Sequence, residues 1–306
     1  MLCAAIFLLF VSLGGAHLGG NILIFSVWDK YSDRIVKRVA HHKAYADRHG
    51  YSYKLYIRSG YQEGIDKPNV DMSTIIIPAA ANNTKYRAGW LKVFAFMEML
   101  ESTFFDYLFY LDLDTVFYNF EWPIFDVIHG YNQSIILQES HISKAGYPNM
   151  RTSSHAVILR TTDVSRIFVQ KWFEMKTFCP EINMEQGAMY AVIAELYSDY
   201  STEMPCKRSI CPRDSTRKNA RFEACFTAFM KKFFGANPVH KDVHVFRYWN
   251  DSPRVPGDGF TAETHDINLT ASCPLTLHPF KKFDEDYIPL YTKYNKCSSF
   301  NSSDLK

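Results

Sequence analysis

The chain has 306 residues, 47% apolar and 16% aromatic, enough to bury the core of one large α/β domain or two small ones and too apolar for a disordered chain. A formal net charge of +2, with no strongly basic stretch, removes the electrostatic case for nucleic acid or an acidic membrane as partner.

Residues 2–13 are almost wholly apolar, and Gly14, Gly15 and Ala16 supply the small residues of a cleavage site. The run is shorter than the roughly 20 apolar residues of a bilayer span. Residues 1–16 are therefore read as a signal peptide in preference to a short anchor, and one continuous domain is expected over residues 21–306. Once Cys3 leaves with the signal, Cys179, Cys206, Cys211, Cys225, Cys273 and Cys297 remain. An even set in an exported chain suggests disulfides, with the pairing open. N-glycosylation sequons stand at Asn82, Asn132, Asn268 and Asn301, with a weaker one at Asn250 because Pro253 follows. The expected location is the secretory pathway: Golgi or ER lumen, Golgi membrane, or outside the cell.

Residues 21–27 (NILIFSV) read as a first buried strand, and residues 31–49 as a helix with Ile35 and Val39 on one face, which His42 and Ala46 extend. Gly50 ends that helix, and residues 51–57 form a second strand, which makes a β-α-β unit with a parallel pair. Residues 61–83 read as loop around the apolar run 75–77. A helix follows over residues 86–101, its stripe set by Trp90, Val93, Phe94, Met97 and Leu100. Residues 107–111 (YLFYL) read as a strand buried on both faces. Further strands are expected at 134–137, 156–159, 243–249 and 275–277, with helices at 165–176, 185–196 and 222–234. Residues 201–221 are basic and cysteine-bearing, and read as an irregular, disulfide-held loop. The order implies an α/β sandwich around a largely parallel sheet, with its ligand site at the strands' carboxyl ends.

The strand over 107–111 runs directly into Asp112 and Asp114. Carboxylates are not left unpaired at the end of a buried strand without a reason. In a strand, residues two apart share a face, so Asp112 and Asp114 could clamp one hard cation that keeps positions open for phosphates.

Around this pair the chain resembles glycosyltransferases of the GT-A fold, most closely the galactosyl/mannosyltransferase family 34. The resemblance is carried, in order, by residues 45–51 (YADRHGY), Trp90-Leu91-Lys92, residues 110–115 (YLDLDT), residues 158–162 (ILRTT), Glu185-Gln186-Gly187-Ala188 and Leu277-His278-Pro279-Phe280. Ser153 and His155 stand where that family has Asn and Gly, and Thr115 where it has Ala.

The resemblance implies a GT-A-like sandwich that moves a sugar, with retention, from a UDP-sugar or GDP-sugar to a hydroxyl on a glycan or glycoprotein. It implies Mn2+ or Mg2+ held by Asp112, Asp114 and His278. Ser26, Val27, Lys92 and Asp112 would bind the nucleotide donor, and Glu185 and Gln186 would lie beside the transferred sugar as the catalytic pair. A membrane reached through the N-terminal segment is the further partner this reading allows. The alternative, motivated by Ser153 and His155, is a lumenal protein that kept the fold and binds without catalysis. A hydrolase is disfavoured: G-x-S-x-G and H-E-x-x-H are both absent.

Overall fold

The structure, a computed structural model, describes residues 20–28, 33–57, 75–76, 88–101, 104–139, 152–177, 184–197, 241–246, 261–263 and 276–278. Strand β1 (Ile22–Trp28) is buried along its whole length except at Trp28. That is what a central strand covered on both faces requires. Helix α1 (Asp33–Arg48) returns the chain to β2 (Ser52–Ile57), which lies parallel to β1. Between them Gly50 takes φ 68°, a left-handed helix ending that glycine adopts without Cβ strain. The two-residue strand β3 (Ile75–Ile76) extends the same edge.

A single 3-10 turn, Ala88–Trp90, leads into α2 (Leu91–Leu100), and the chain then enters β4 (Tyr107–Leu111) on the opposite side of β1. Next come β5 (Val116–Phe117), α3 (Ile124–Ile128), β6 (Ile135–Glu139), β7 (Thr152–Arg160), α4 (Asp163–Glu174), α5 (Met184–Tyr197) and β8 (Val243–Phe246). Two late strands, β9 (Thr261–Glu263) and β10 (Thr276–His278), complete the described elements.

The main sheet has seven strands in the order β3-β2-β1-β4-β7-β6-β8. Only β7 runs against its neighbours; the other six share one direction. The fold is α/β with a mixed, mostly parallel sheet, as the sequence implies. One apolar cluster, with Phe25, Phe96, Tyr110, Phe168 and Trp172, fills the space under α2, α4 and α5. A second, with Ile24, Tyr45, Leu55, Phe109 and Phe117, fills the side under α1.

The two clusters correct the expected stripe on α2. Ala95, Phe96 and Met99 are buried as well as Trp90, Val93 and Leu100, while Phe94 and Met97 are only half-buried. Because α2 sits between the sheet and two other helices, it is apolar nearly all round. Strand β5, strand β9 and helix α3 were not expected, being too short to show a period. The expected loop at 201–221, the helix at 222–234, the six later cysteines and the sequons at Asn82, Asn250, Asn268 and Asn301 lie outside the described residues. Asn132 is exposed. Among the described residues no helix is long and apolar enough to cross a membrane.

Candidate functional site

From β1 the chain goes first to β2 on one side and later to β4 on the other. Between β1 and β4 the order of connection reverses, which is where open α/β sheets form a ligand crevice at the carboxyl ends. The ladder between these strands stops at the pair Phe25↔Tyr110. Counting on in that parallel register puts Ser26 level with Leu111 and Val27 level with Asp112. Ser26 is fully buried and its hydroxyl is engaged with His42, so its face toward the crevice is backbone.

The two aspartates do not continue the strand. Strand β4 ends at Leu111, and residues 112–115 form a turn closed by the Thr115 N–H donating to the Asp112 carbonyl at 2.9 Å. The alternation argument for a shared face therefore does not apply; the turn does the work instead. Leu113 is buried in the cluster under α1, while Asp112 and Asp114 stay half-exposed. An apolar anchor between two carboxylates fixes the turn and leaves the carboxylates at the surface. The Asp112 N–H donates to the His155 carbonyl at 2.7 Å, which ties the turn to β7.

Beside the turn lies a buried ionic cluster. Lys92, in the first turn of α2, is 3% exposed. Its ammonium is 3.5 Å from Asp112 Oδ1 and 3.5 Å from Glu185 Oε1, and it donates to the Ser154 carbonyl at 3.1 Å and hydroxyl at 3.3 Å. The same ammonium lies 4.7 Å from the centre of the Tyr110 ring, a cation–π contact. Burial, and after it the adjacent Asp112 carboxylate, push the Tyr110 phenol well above its ordinary range. It stays protonated and donates to Asp112 Oδ1. The Glu185 and Asp114 carboxylates also push that phenol up.

Strand β7 owes its part in this cluster to an irregularity. Against β6, Val157 pairs with Leu137 and Ser153 with Gln138, so Ser154, His155 and Ala156 are extra residues on β7. Bulges re-aim side chains in this way beside functional sites. The Ser154 hydroxyl reaches Gln186 Oε1 at 3.3 Å and Glu185 Oε1 at 3.5 Å, and the Gln186 amide donates to the Tyr190 hydroxyl one turn on. The Trp172 indole donates to the Glu185 carbonyl at 2.7 Å and pins the start of α5. Glu185 Oε2 is buried and has no hydrogen-bond partner among the described residues. A Cβ placed at Gly89 would stand 2.5 Å from it, so any side chain at that position has to displace the carboxylate.

Residues 45–51 act from below. Tyr45 donates to the Trp122 carbonyl at 2.7 Å, His49 to the Phe120 carbonyl at 2.8 Å, and the Phe125 N–H donates to the Tyr51 hydroxyl at 3.3 Å. Tyr45 also stacks on Phe117 with ring centres 3.6 Å apart. This stretch fastens the chain that leaves the aspartate turn; its side chains make no contact with Lys92 or Glu185 among the described interactions. His41 and His42 extend the same row; the helical period puts His42 on the buried face, but a histidine on a helix carries no local sign of its partners, and His41 is not singled out by the sequence.

His278 is brought to the turn by the second sheet. Strand β10 pairs antiparallel with β5, Leu277 opposite Val116 and Thr276 opposite Phe117. The next step puts the His278 backbone level with Thr115, adjacent to Asp114. The His278 side chain lies outside the described residues. Among the described residues no group of three metal-ligating side chains assembles.

The sequence matches no family model and no curated protein. Solved structures overlap it loosely. A glycosyltransferase involved in glycosylation of the major capsid of PBCV-1 is 11% identical, with 89% of this chain and 98% of that chain covered and a TM-score of 0.43. The apo-form glycosyltransferase GlyE of Streptococcus pneumoniae TIGR4 is 12% identical, with 94% and 62% covered and a TM-score of 0.42. A mutant Drosophila β-1,4-galactosyltransferase 7, in complex with manganese, UDP-Gal and xylobiose, is 14% identical, with 46% and 49% covered and a TM-score of 0.26. All three of these proteins are glycosyltransferases. The roles of individual residues do not rest on these overlaps.

Proposed function

We propose that the protein is a metal-dependent glycosyltransferase that moves a sugar from a nucleoside diphosphate to a hydroxyl on a glycan or glycoprotein. The observation that carries this reading is the aspartate turn at the mouth of the β1–β4 crevice, where the buried Lys92 ammonium lies 3.5 Å from both Asp112 and Glu185. A diphosphate added there needs further positive charge. Hard carboxylate oxygens at a solvent-facing turn suit Mn2+ or Mg2+. Asp114 is the principal ligand in this reading and His278 the third. Asp112, held by Lys92 and Tyr110, contributes from a fixed position. When bound, the ion supplies Lewis-acid stabilisation of the leaving diphosphate.

The chain's own residues do the rest. Backbone groups of Ser26 and Val27 line the nucleotide side, and Lys92 holds the carboxylates in place and adds charge behind the diphosphate. Gln186, oriented by Ser154 and Tyr190, positions the sugar. The acceptor hydroxyl attacks the anomeric carbon on the face from which the nucleotide leaves. The new glycosidic C–O bond forms as the C–O bond to phosphate breaks, and the hydroxyl proton passes to the departing phosphate oxygen. Retention follows. Glu185 is the carboxylate nearest this chemistry and steadies positive charge on the sugar. Membership of family 34 rests on the ordered motifs, and a secretory location on the apolar N-terminal run, the even cysteine set and the exposed Asn132 sequon.

The test is release of sugar from UDP- and GDP-sugars by purified protein with and without Mn2+. Release that requires Mn2+ and disappears in Asp114→Ala supports the proposal. Nucleotide binding without turnover under all conditions favours the lumenal binding protein instead.

A further inference from the structure

The interior of α1 holds a contact that the proposed chemistry does not use. His42 is fully buried, and both its ring nitrogens are engaged. A carbonyl only accepts, so Nε2 carries the proton and donates to the Thr115 carbonyl at 2.6 Å. Nδ1 is then the acceptor and takes the Ser26 hydroxyl proton at 3.1 Å. Thr115 follows Asp114 in the turn, and Ser26 follows Phe25, the last residue of β1 paired with β4. One imidazole thus spans the two walls of the crevice from below.

We infer that His42 is a positioning residue: it sets the height and orientation of the Asp114 turn relative to the end of β1. Its neighbour His41 is the natural comparison, since His41 also donates to a carbonyl but at Phe117, two residues further along the chain from the aspartates, at 3.1 Å. The His42 ring packs edge-on against Phe117 and Tyr53 at 5.5 and 5.8 Å between centres, which fixes its plane. Loss of the Nε2 contact frees the Thr115 carbonyl and lets the turn shift; loss of the Nδ1 contact leaves the turn held and frees only Ser26.

Two substitutions separate these effects. In His42→Gln the side-chain amide reaches toward the Nε2 position and keeps a donor for Thr115. In His42→Asn the amide reaches only the Nδ1 position and the donor is lost. Both remove the ring, so a purely structural role weakens both alike. Hydrogen exchange of the amides of residues 113–117 is the direct readout, with Mn2+ titration of the same proteins as the second. Relative to His42→Gln, His42→Asn is expected to exchange about tenfold faster across 113–117, the scale of one hydrogen bond. Mn2+ binding is expected to weaken by a similar factor, while His41→Asn leaves Mn2+ binding unchanged.

Equal exchange across 113–117 in the Gln and Asn variants overturns the inference. The Mn2+ arm rests on the proposed metal role of Asp114, and wild-type protein that binds no Mn2+ sinks that role by itself. In that event the exchange comparison alone decides the part played by His42.

Discussion

Lys92 is the residue whose removal is most informative. Its ammonium is buried between two carboxylates, and deleting one member of such a cluster leaves charge without compensation. Lys92→Met is expected to lower unfolding stability by about 3–5 kcal/mol. Combining it with Glu185→Gln restores a large part of that loss in a denaturant series, whereas strictly additive losses contradict the coupling. Gly89→Ala probes the same carboxylate without replacing a charged residue, because the added methyl must displace Glu185 Oε2. Sugar transfer should fall at least tenfold while the far-UV spectrum stays native; full activity would show that the Glu185 position is not needed.

The histidines of α1 give a pH signature. Burial lowers His41 to about 4; burial, with the neighbouring His41 charge, lowers His42 to about 3, and burial lowers His244 to about 4. The unfolded chain takes up these protons near pH 6.5, before the folded chain does. Their contribution to stability is therefore complete above about pH 6.5 and is lost as pH falls from there toward 4 and 3. Denaturant midpoints should decline between pH 6.5 and 5, above the carboxylate range; a flat profile over that interval contradicts neutral burial.

At the scale of elements, α1 is a buttress and β7 an adjustable wall. Three side chains of α1, His41, His42 and Tyr45, together with His49 just past its end, meet carbonyls of the segment 115–122. Tyr45→Phe removes one of these contacts and keeps the Phe117 stack, so it should cost about 1 kcal/mol in a denaturant series. A loss above about 3 kcal/mol would mean that the hydroxyl anchors far more than one carbonyl. Long apolar elements such as β1, β4 and α5 were legible because burial on two faces writes itself into consecutive residues. The reversal of β7 and its extra residues at 154–156 were not, since nothing local in that strand states which neighbours it will pair with. The strip over 112–115 misled for the opposite reason: its alternating carboxylates look like strand, and only the Thr115–Asp112 bond makes them a turn.

Over the whole molecule, the site is assembled from segments far apart in the chain. The ends of β1 and β4, the start of α2, the irregular part of β7, the start of α5 and the last described strand all converge on one end of the sheet. Order in the sequence made Asp112, Asp114, Lys92, Glu185 and Gln186 visible as candidates, and the fold brings Lys92, Asp112, Glu185 and Gln186 within one connected network. It also brings the backbone of His278 beside the turn through the pairing of β10 with β5, a contact that three-residue strands cannot announce. The central claim is that the aspartate turn is a metal–diphosphate platform. Calorimetric titration of UDP and GDP into wild-type and Asp114→Ala protein, with and without Mn2+, tests it most directly. The account predicts that one nucleotide binds the wild type only when Mn2+ is present and does not bind the variant; metal-independent binding that survives the substitution, or no binding of either nucleotide, would contradict it.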